Sequence, residues 1–573
     1  MDLIPQDVWP LIASFLDYKT QRQLRLANTK WFNIIKYSNF RLYFTRKEDI
    51  PAITERLSKY SWPIKLFFLK SKFDDLLDVI NYLPKLTNLI KLKSDSVDIE
   101  TEHVTHEQWM QLSVLTNLEA WIPFVELVPF DLWQKLTKLT AWYTSAPEET
   151  LAPVLKQMAN LKSLNFFEST KTWPFALVPN PEKLTFLHMS AQEKILHGRE
   201  MWSRLTNLKI FSYSEGEPNS IKLSCLPSLE YLNIYRNSLP SFAKNTSLTQ
   251  LRLDCETWSL PNTETIGRLK KLQKLHVNVP QDSAFQFQFL ANLLQLTSLS
   301  LSSVHHVALS DLNNMLYPNI PQNLRTLQID GVESDVGQLT HLTNLDSLTL
   351  FHQTTNSQYL SQLSNMTYLF VTHTNYSQDF RSIGKLTRLH ELCLDSTVEG
   401  VNDEVTIPDL SELVNLTALR WGFQDYPLDK LDQLKYLTKL EELSIGSNDL
   451  KISLENCDFL AGLTNLTNLK IDSSVANVDS LWNSVVGLTN LQQLSVNEVD
   501  NDDRLLLLSS FSNLTMLEIR MQSESFSGVH LTAITSLQAI FYHSDGTKLA
   551  HKKADILESM PYLITFSYFV PLT

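Results

Sequence analysis

A nine-residue phrase recurs down most of the chain and restricts its fold more than any other feature. Its first half, Leu-Thr-x-Leu, reads LTNL at Leu86, Leu115, Leu205, Leu342, Leu463 and Leu488, LTKL at Leu136 and Leu437, and LTRL at Leu386. The second half is usually xxLxL, as in LTNLDSLTL from Leu342 and LTNLQQLSV from Leu488. Looser copies fill the gaps: MANLKSLNF from Met158, LPSLEYLNI from Leu226 and FSNLTMLEI from Phe511. Anchored on the second apolar residue of each copy, 21 units run from Leu89 to Leu563; their 20 intervals cover 474 residues, a mean of 23.7.

Alternating leucines in LxL point one way from an extended strand, and the residues between them point the other way. A single unit of this kind cannot bury its apolar stripe, so successive units must stack, each contributing one strand to a parallel sheet. Phrase and period together resemble the leucine-rich-repeat family, whose units span roughly 20–29 residues. The resemblance implies an α/β solenoid: a curved parallel sheet with short helices on its convex side. Segments such as SLWNSVVGL after Asp479 and RLLLLSSF after Asp503 read as those helices. The family's asparagine after the strand stands at Asn237 and Asn448 but is missing from most units, which leaves the repeat subclass open.

Residues 1–50 lack the repeat. They carry eight Lys+Arg against five acids, a charge of +3, so the remainder holds −16 of the chain's −13 total. Apolar residues at Val8, Leu11, Ile12 and Phe15, and again at Trp31, Ile34 and Ile35, follow helical spacing, with Asp17 and Asn28 as helix caps; three short helices are predicted. Three helices in so few residues bury too little surface to stand alone. The text IPQDVWPLIASFL followed by QLRLANTKWFNII resembles the F-box, although Pro10 interrupts the first helix and Gln21 and Arg22 stand where that family favours apolar residues. The resemblance places an adaptor-binding face on Ile4, Pro5, Val8, Leu11, Ile12, Leu16, Leu24, Leu26 and Trp31. It implies a Skp-type adaptor and, through it, a cullin as partners. The alternative is that the segment is an N-terminal cap shielding the first repeat. The organisation expected is a helical module at 1–50, a connecting segment and cap at 51–80, and a solenoid of about 21 units at 81–573.

Charge and cysteine usage narrow the function. With 49 Lys+Arg against 62 Asp+Glu, no long basic stretch is present to displace counterions from nucleic-acid phosphates, and an anionic membrane surface is equally disfavoured. Four widely spaced cysteines, Cys225, Cys255, Cys393 and Cys457, form no ligand pair and no staple framework, which points to a reducing compartment. Neither a basic-then-apolar secretory leader nor a membrane-length apolar run occurs. A cytoplasmic protein is expected, extending to the nucleus, or to a host cell if the source is a parasite or virus.

Nothing in the text assembles a catalytic centre, and no cofactor is expected. His103 and His106 with Glu102 and Glu107 read as a polar loop, as does His305-His306; Asp500, Asp502 and Asp503 lack the glycine and terminal glutamate of a calcium loop. Cys393 sits on a strand between Glu391 and Asp395, whose charge blunts a thiolate. The candidate site is instead the concave face. Counting from the anchor, alternate strand positions place Phe124, Tyr143, Phe167, Phe186, His188, Tyr231 and Tyr235 there, then Phe351, Tyr368 and Phe370, and later mostly small or polar residues such as Ser444, Asn468 and Lys470. Clustered exposed aromatics offer contact area at low entropy cost. Two readings follow: a substrate-recognition subunit of a cullin-type ubiquitin ligase that holds a target protein, or a protein-binding repeat scaffold unrelated to ubiquitin.

Overall fold

The computed structural model describes residues 155–166, 177–190, 199–214, 223–235, 245–254, 260–278, 287–302, 316–331, 334–351, 354–372, 380–395, 408–422, 428–446, 453–454, 457–471, 474–475, 478–499, 507–521, 534 and 537, with isolated strands at 40–44, 64–68, 89–94, 119–121, 138–141, 539–543 and 565–569. The first fifty residues are thus described only at Phe40–Phe44, and the whole set of adaptor-binding candidates from Ile4 to Trp31 lies outside the described residues. Two compact units divide the chain, Met1–Leu272 and Gln273–Thr573, and each is taken by itself below.

In the first unit ten strands, from Phe40–Phe44 to Gln250–Asp254, pair each with the next in sequence, all in parallel. The second unit repeats the arrangement with thirteen, from Lys274–Asn278 to Thr565–Phe569. One strand per repeat, each in register with its neighbour, is the leucine-rich-repeat architecture. The sheet starts earlier than the phrase does. Phe40–Phe44 and Ile64–Phe68 are already strands, with Leu42 opposite Leu66 and Leu66 opposite Leu92. They fall within the segments assigned to the helical module and to the connection.

Described repeats bury the same four positions. In the unit anchored at Leu466, Leu463, Leu466, Leu469 and Ile471 are all fully buried, while Thr464 and Asn465 are exposed. The same pattern runs through Leu205, Leu208 and Phe211, and through Leu488, Leu491, Leu494 and Val496. The first two leucines close a tight turn, with the anchor's amide donating to the carbonyl three residues back (Leu466 to Leu463, 3.0 Å; Leu491 to Leu488, 3.0 Å). The strand begins only after that turn. Burying each leucine contributes about 1.5–3 kcal/mol, and repetition along the stack supplies the core that a lone strand lacks.

The Thr-Asn between the leucines is structural as well. The residue before the anchor reaches back one repeat to a main-chain carbonyl: Asn207 Nδ2 donates to Glu182 O at 2.9 Å, Asn365 to Thr343 O at 2.7 Å, Asn465 to Thr438 O at 2.7 Å and Asn490 to Thr464 O at 2.9 Å. Ser228, Ser247 and Lys183 occupy the same place and make the same bond. A parallel row comes from the residue after the anchor, whose hydroxyl donates to the carbonyl one repeat back, as Thr367 does to Asp346 and Thr467 to Glu441, both at 3.1 Å. The family's own ladder positions, Asn237 and Asn448, lie outside the described residues.

The return segments correct one expectation. An α-helix forms at Arg199–Ser203, Leu260–Gly267 and Val478–Val486, the last where SLWNSVVGL predicts it. Among the described residues most other returns are short 3-10 helices, such as Ser357–Gln362, Phe380–Lys385, Leu428–Tyr436 and Asp458–Gly462, and the described part of RLLLLSSF forms the 3-10 turn Leu507–Ser510. Adjacent return segments must pack as closely as the strands they connect, and the narrower 3-10 turn, at about 3 residues per turn, fits that spacing. Two short parallel pairs lie outside the main sheet, Ser334–Asp335 with Thr354–Thr355 and Ser453–Leu454 with Ser474–Val475.

Candidate protein-binding face

Because core positions alternate with outward ones, one face of each sheet packs on leucine and the other is open. In the first unit three described strands place Phe186, Ile210 and Tyr231 side by side, with Phe186 opposite Ile210 and Ile210 opposite Tyr231. The next outward position carries Asn165, His188, Ser212 and Asn233 in line. Tyr235 follows on the same face, 47% exposed, whereas its neighbours Leu232 and Ile234 are buried. Of the seven sequence candidates, Phe186, His188, Tyr231 and Tyr235 therefore stand on the open face; Phe124, Tyr143 and Phe167 lie outside the described residues. Sequence reasoning passed over Ile210, which closes the apolar row at 36% exposure. Its position relative to its own anchor, Leu208, is the signal that would have found it.

Polar groups on this face lock neighbouring strands. Asn233 Nδ2 donates to Ser212 Oγ at 3.0 Å. Desolvation lowers the His188 pKa, so the ring is neutral at physiological pH. Tyr213 points the other way into the core, stacked on Phe211 at 6.3 Å between ring centroids, and burial pushes its phenol up to about 12.

The second unit's open face is more varied. Phe351 and Phe370 meet with ring centroids 5.2 Å apart. Beside them a shallow hollow of about 350 Å³ opens over the strands Glu391–Asp395, Ala418–Gly422 and Glu442–Ile445. One lateral row reads Tyr368, Glu391, Ala418, Glu442, Asn468; the next reads Phe370, Cys393, Arg420, Ser444, Lys470. Small side chains at Cys393, Ala418 and Ser444 leave the space, and larger ones at the ends bound it.

Arg420 leans away from the centre of the hollow, its Nη2 lying 3.7 Å from Asp395 Oδ2. The other oxygen of Asp395 is buried with no hydrogen-bond donor among the described residues. That carboxylate lies over Gly422, where any Cβ would collide with it. Burial, more than the charge of Asp395, pushes the Cys393 thiol up to about 12, and Arg420 only partly opposes this. The thiol is consequently an inert part of the floor.

Among the described residues no group of three His, Cys, Asp or Glu could hold a metal ion, and no helix is long and apolar enough to cross a membrane. The histidine pairs at 103/106 and 305/306, and the acidic cluster at 500–503, lie outside the described residues.

No family model matches the chain, and no curated protein matches it. Solved structures do. An internalin from Listeria monocytogenes is 17% identical, with 63% of this chain and 87% of that chain covered and a TM-score of 0.35. A leucine-rich-repeat protein of Leptospira interrogans is 15% identical, with 78% and 100% covered and a TM-score of 0.41. The leucine-rich-repeat ectodomain of a plant membrane receptor kinase from Arabidopsis thaliana is 15% identical, with 88% and 67% covered and a TM-score of 0.35.

Proposed function

We propose that this chain is a protein-binding repeat scaffold whose partner lies on the open face of the sheet, and that it performs no chemistry of its own. The observation that carries this reading is the row Phe186, Ile210, Tyr231. Core-facing leucines are already fully buried, so the fold itself needs no apolar residues on the other face. Apolar side chains held there in line, with Tyr235 exposed farther along the same face, favour a protein surface as their complement. Within each unit the described strands add side by side to one ledge, the form an extended interface requires.

Site-directed photo-crosslinking tests the reading. A benzophenone side chain at position 210 or 444 should form adducts with a partner, and one at position 412, on a return segment, should not. Adducts equally frequent from position 412 would overturn it. Converting Phe186 and Tyr231 together to Ser should weaken capture by about tenfold or more, the usual loss at buried aromatic anchors, with the thermal midpoint nearly unchanged.

A finer reading rests on residues 4–31 and their resemblance to the F-box. On that reading the chain is the substrate-recognition subunit of a cullin-type ubiquitin ligase, with Ile4, Pro5, Val8, Ile12, Leu16 and Trp31 among the residues docking a Skp-type adaptor. Its contribution would be proximity, holding a target beside an enzyme charged with ubiquitin. Purified adaptor should then bind the full chain, and changing Pro5 and Leu16 to Glu should abolish binding. A folded chain that ignores the adaptor leaves the scaffold reading standing alone.

A further inference from the structure

The geometry points to a recognition pocket for one basic side chain, arginine or lysine, presented by an extended segment of the partner protein to the hollow beside Tyr368 and Phe370. This inference deepens the scaffold reading and rests on it. The hollow's 350 Å³ accommodates a single long side chain. Its floor is Cys393, Ala418 and Ser444, small groups over buried Leu392, Leu419 and Leu443, against which an alkyl stem can lie.

Charge decides between a basic and an acidic occupant. Arg420 already faces Asp395 at 3.7 Å, so its charge is partly answered. Glu391 and Glu442 flank Ala418 in the same lateral row, one strand away on either side, roughly 10 Å apart at the usual strand spacing. Glu391 is exposed and has no ion pair among the described residues. It adjoins Tyr368 in that row, so an aromatic face and a carboxylate meet at one end of the hollow. Burial first, and then the charges of Cys393 and Glu391, hold the Tyr368 hydroxyl above its usual pKa. A guanidinium or ammonium entering there gains a carboxylate, an aromatic face and an apolar bed for its stem. A carboxylate entering at the Tyr368 end would instead meet Glu391, while Lys470, the second cation of the lining, lies three strands away at the opposite end.

The Ala418 methyl group lies on the floor and reports occupancy directly. With alanine methyls labelled in the full chain, and the 418 signal assigned by Ala418→Gly, three blocked pentapeptides serve as probes: Ac-AARAA-NH2, Ac-AALAA-NH2 and Ac-AAEAA-NH2. The arginine peptide should shift the 418 resonance in a saturable way, and the other two should not. In Glu391→Gln the apparent affinity for the arginine peptide should fall about threefold to fivefold, the loss expected of one exposed ion pair, with the thermal midpoint unchanged. Glu391→Lys should transfer the preference to the glutamate peptide. Equal shifts with the leucine peptide, a preference for the glutamate peptide in the native chain, or no shift with any of them would overturn the inference. Photo-crosslinking keeps the two levels apart, since a partner that labels position 444 without any preference for arginine sinks the pocket and leaves the scaffold.

Discussion

Each position of the repeat phrase has its own physical task, and the tasks separate by size of effect. Leu466 is fully buried and surrounded by the leucines of its neighbours, so Leu466→Ala should cost about 2–5 kcal/mol through lost transfer energy and the cavity left behind. Asn465, one residue earlier, is exposed and makes one bond to the repeat before it; Asn465→Ala should cost only about 0.5–1.5 kcal/mol. Urea midpoints at constant slope would show the contrast. Gly384 adds a steric case: a Cβ there would run into the carbonyl oxygen of Asp409, so Gly384→Ala should destabilise by about 1–3 kcal/mol although it adds only a methyl group. The buried thiols give a pH dependence. Cys393 and Cys457 ionise near 9.0 when unfolded and at about 12 in the native state, in both cases chiefly because of burial. Between those values the unfolded chain has released protons that the native chain retains, so stability falls as pH rises from about 9 towards 12. The decline, up to about 1.4 kcal/mol per pH unit per thiol, should be reduced in Cys457→Ala measured against native protein in urea titrations at pH 8 and pH 10.

At the scale of elements, strands were far easier to read than the segments joining them. LxL states its own period, and stacking makes that period mandatory: a slip of one residue would turn Leu469 and Ile471 outward and Lys470 inward. The outward placement of Phe186, His188, Tyr231 and Tyr235 followed from the same alternation. Return segments carry weaker instructions, since a short apolar run such as LLLLSS suits an α-helix or a 3-10 turn equally and only the spacing of neighbouring repeats selects between them. Phe40–Phe44 and Ile64–Phe68 escaped notice because no LTxL turn precedes them, leaving FRLYF and IKLFF as bare five-residue strands. The hollow was illegible for another reason: it arises between repeats, where Ala418 on one strand falls beside Glu391 and Glu442 on two others. Where the text does specify a helix, the helix should carry stability. Val478–Val486 buries Leu481, Trp482 and Val485, so Trp482→Ala should lower stability by about 3–5 kcal/mol, whereas Asn483→Ala on its exposed side should be nearly neutral.

At the scale of the whole molecule, the second unit behaves as a series of interchangeable layers, and that property can be tested by removing one. Every layer presents the same buried columns to both neighbours: Leu419, Leu443 and Leu469 lie opposite one another, as do Trp421, Ile445 and Ile471. Both hydrogen-bond ladders tie the repeats anchored at Leu416 and Leu466 to the one before, and in the repeat between them Lys439 reaches back to Asn415 Oδ1. Excising 440–465 would join Lys439 to Leu466 and restore LTKLTNLKI, a complete phrase with its turn, ladder residue and strand. The strand Asn468–Ile471 could then pair with Ala418–Gly422, leucine to leucine. Stability in such arrays is a sum of repeat terms and nearest-neighbour terms, so the shortened chain should keep its strand content by circular dichroism and melt cooperatively, with a modest loss. Excising 440–452, half a period, brings a return segment against a strand and should collapse the second unit's transition. The two deletions also separate architecture from recognition. The first puts Asn468 and Lys470 in the places of Glu442 and Ser444 while leaving Glu391 and Tyr368 in place, so it should weaken discrimination at the hollow in a chain that is still folded. If the full-period deletion unfolded the unit as completely as the half-period one, the outward residues of that layer, and not only its leucines, would be holding the stack together.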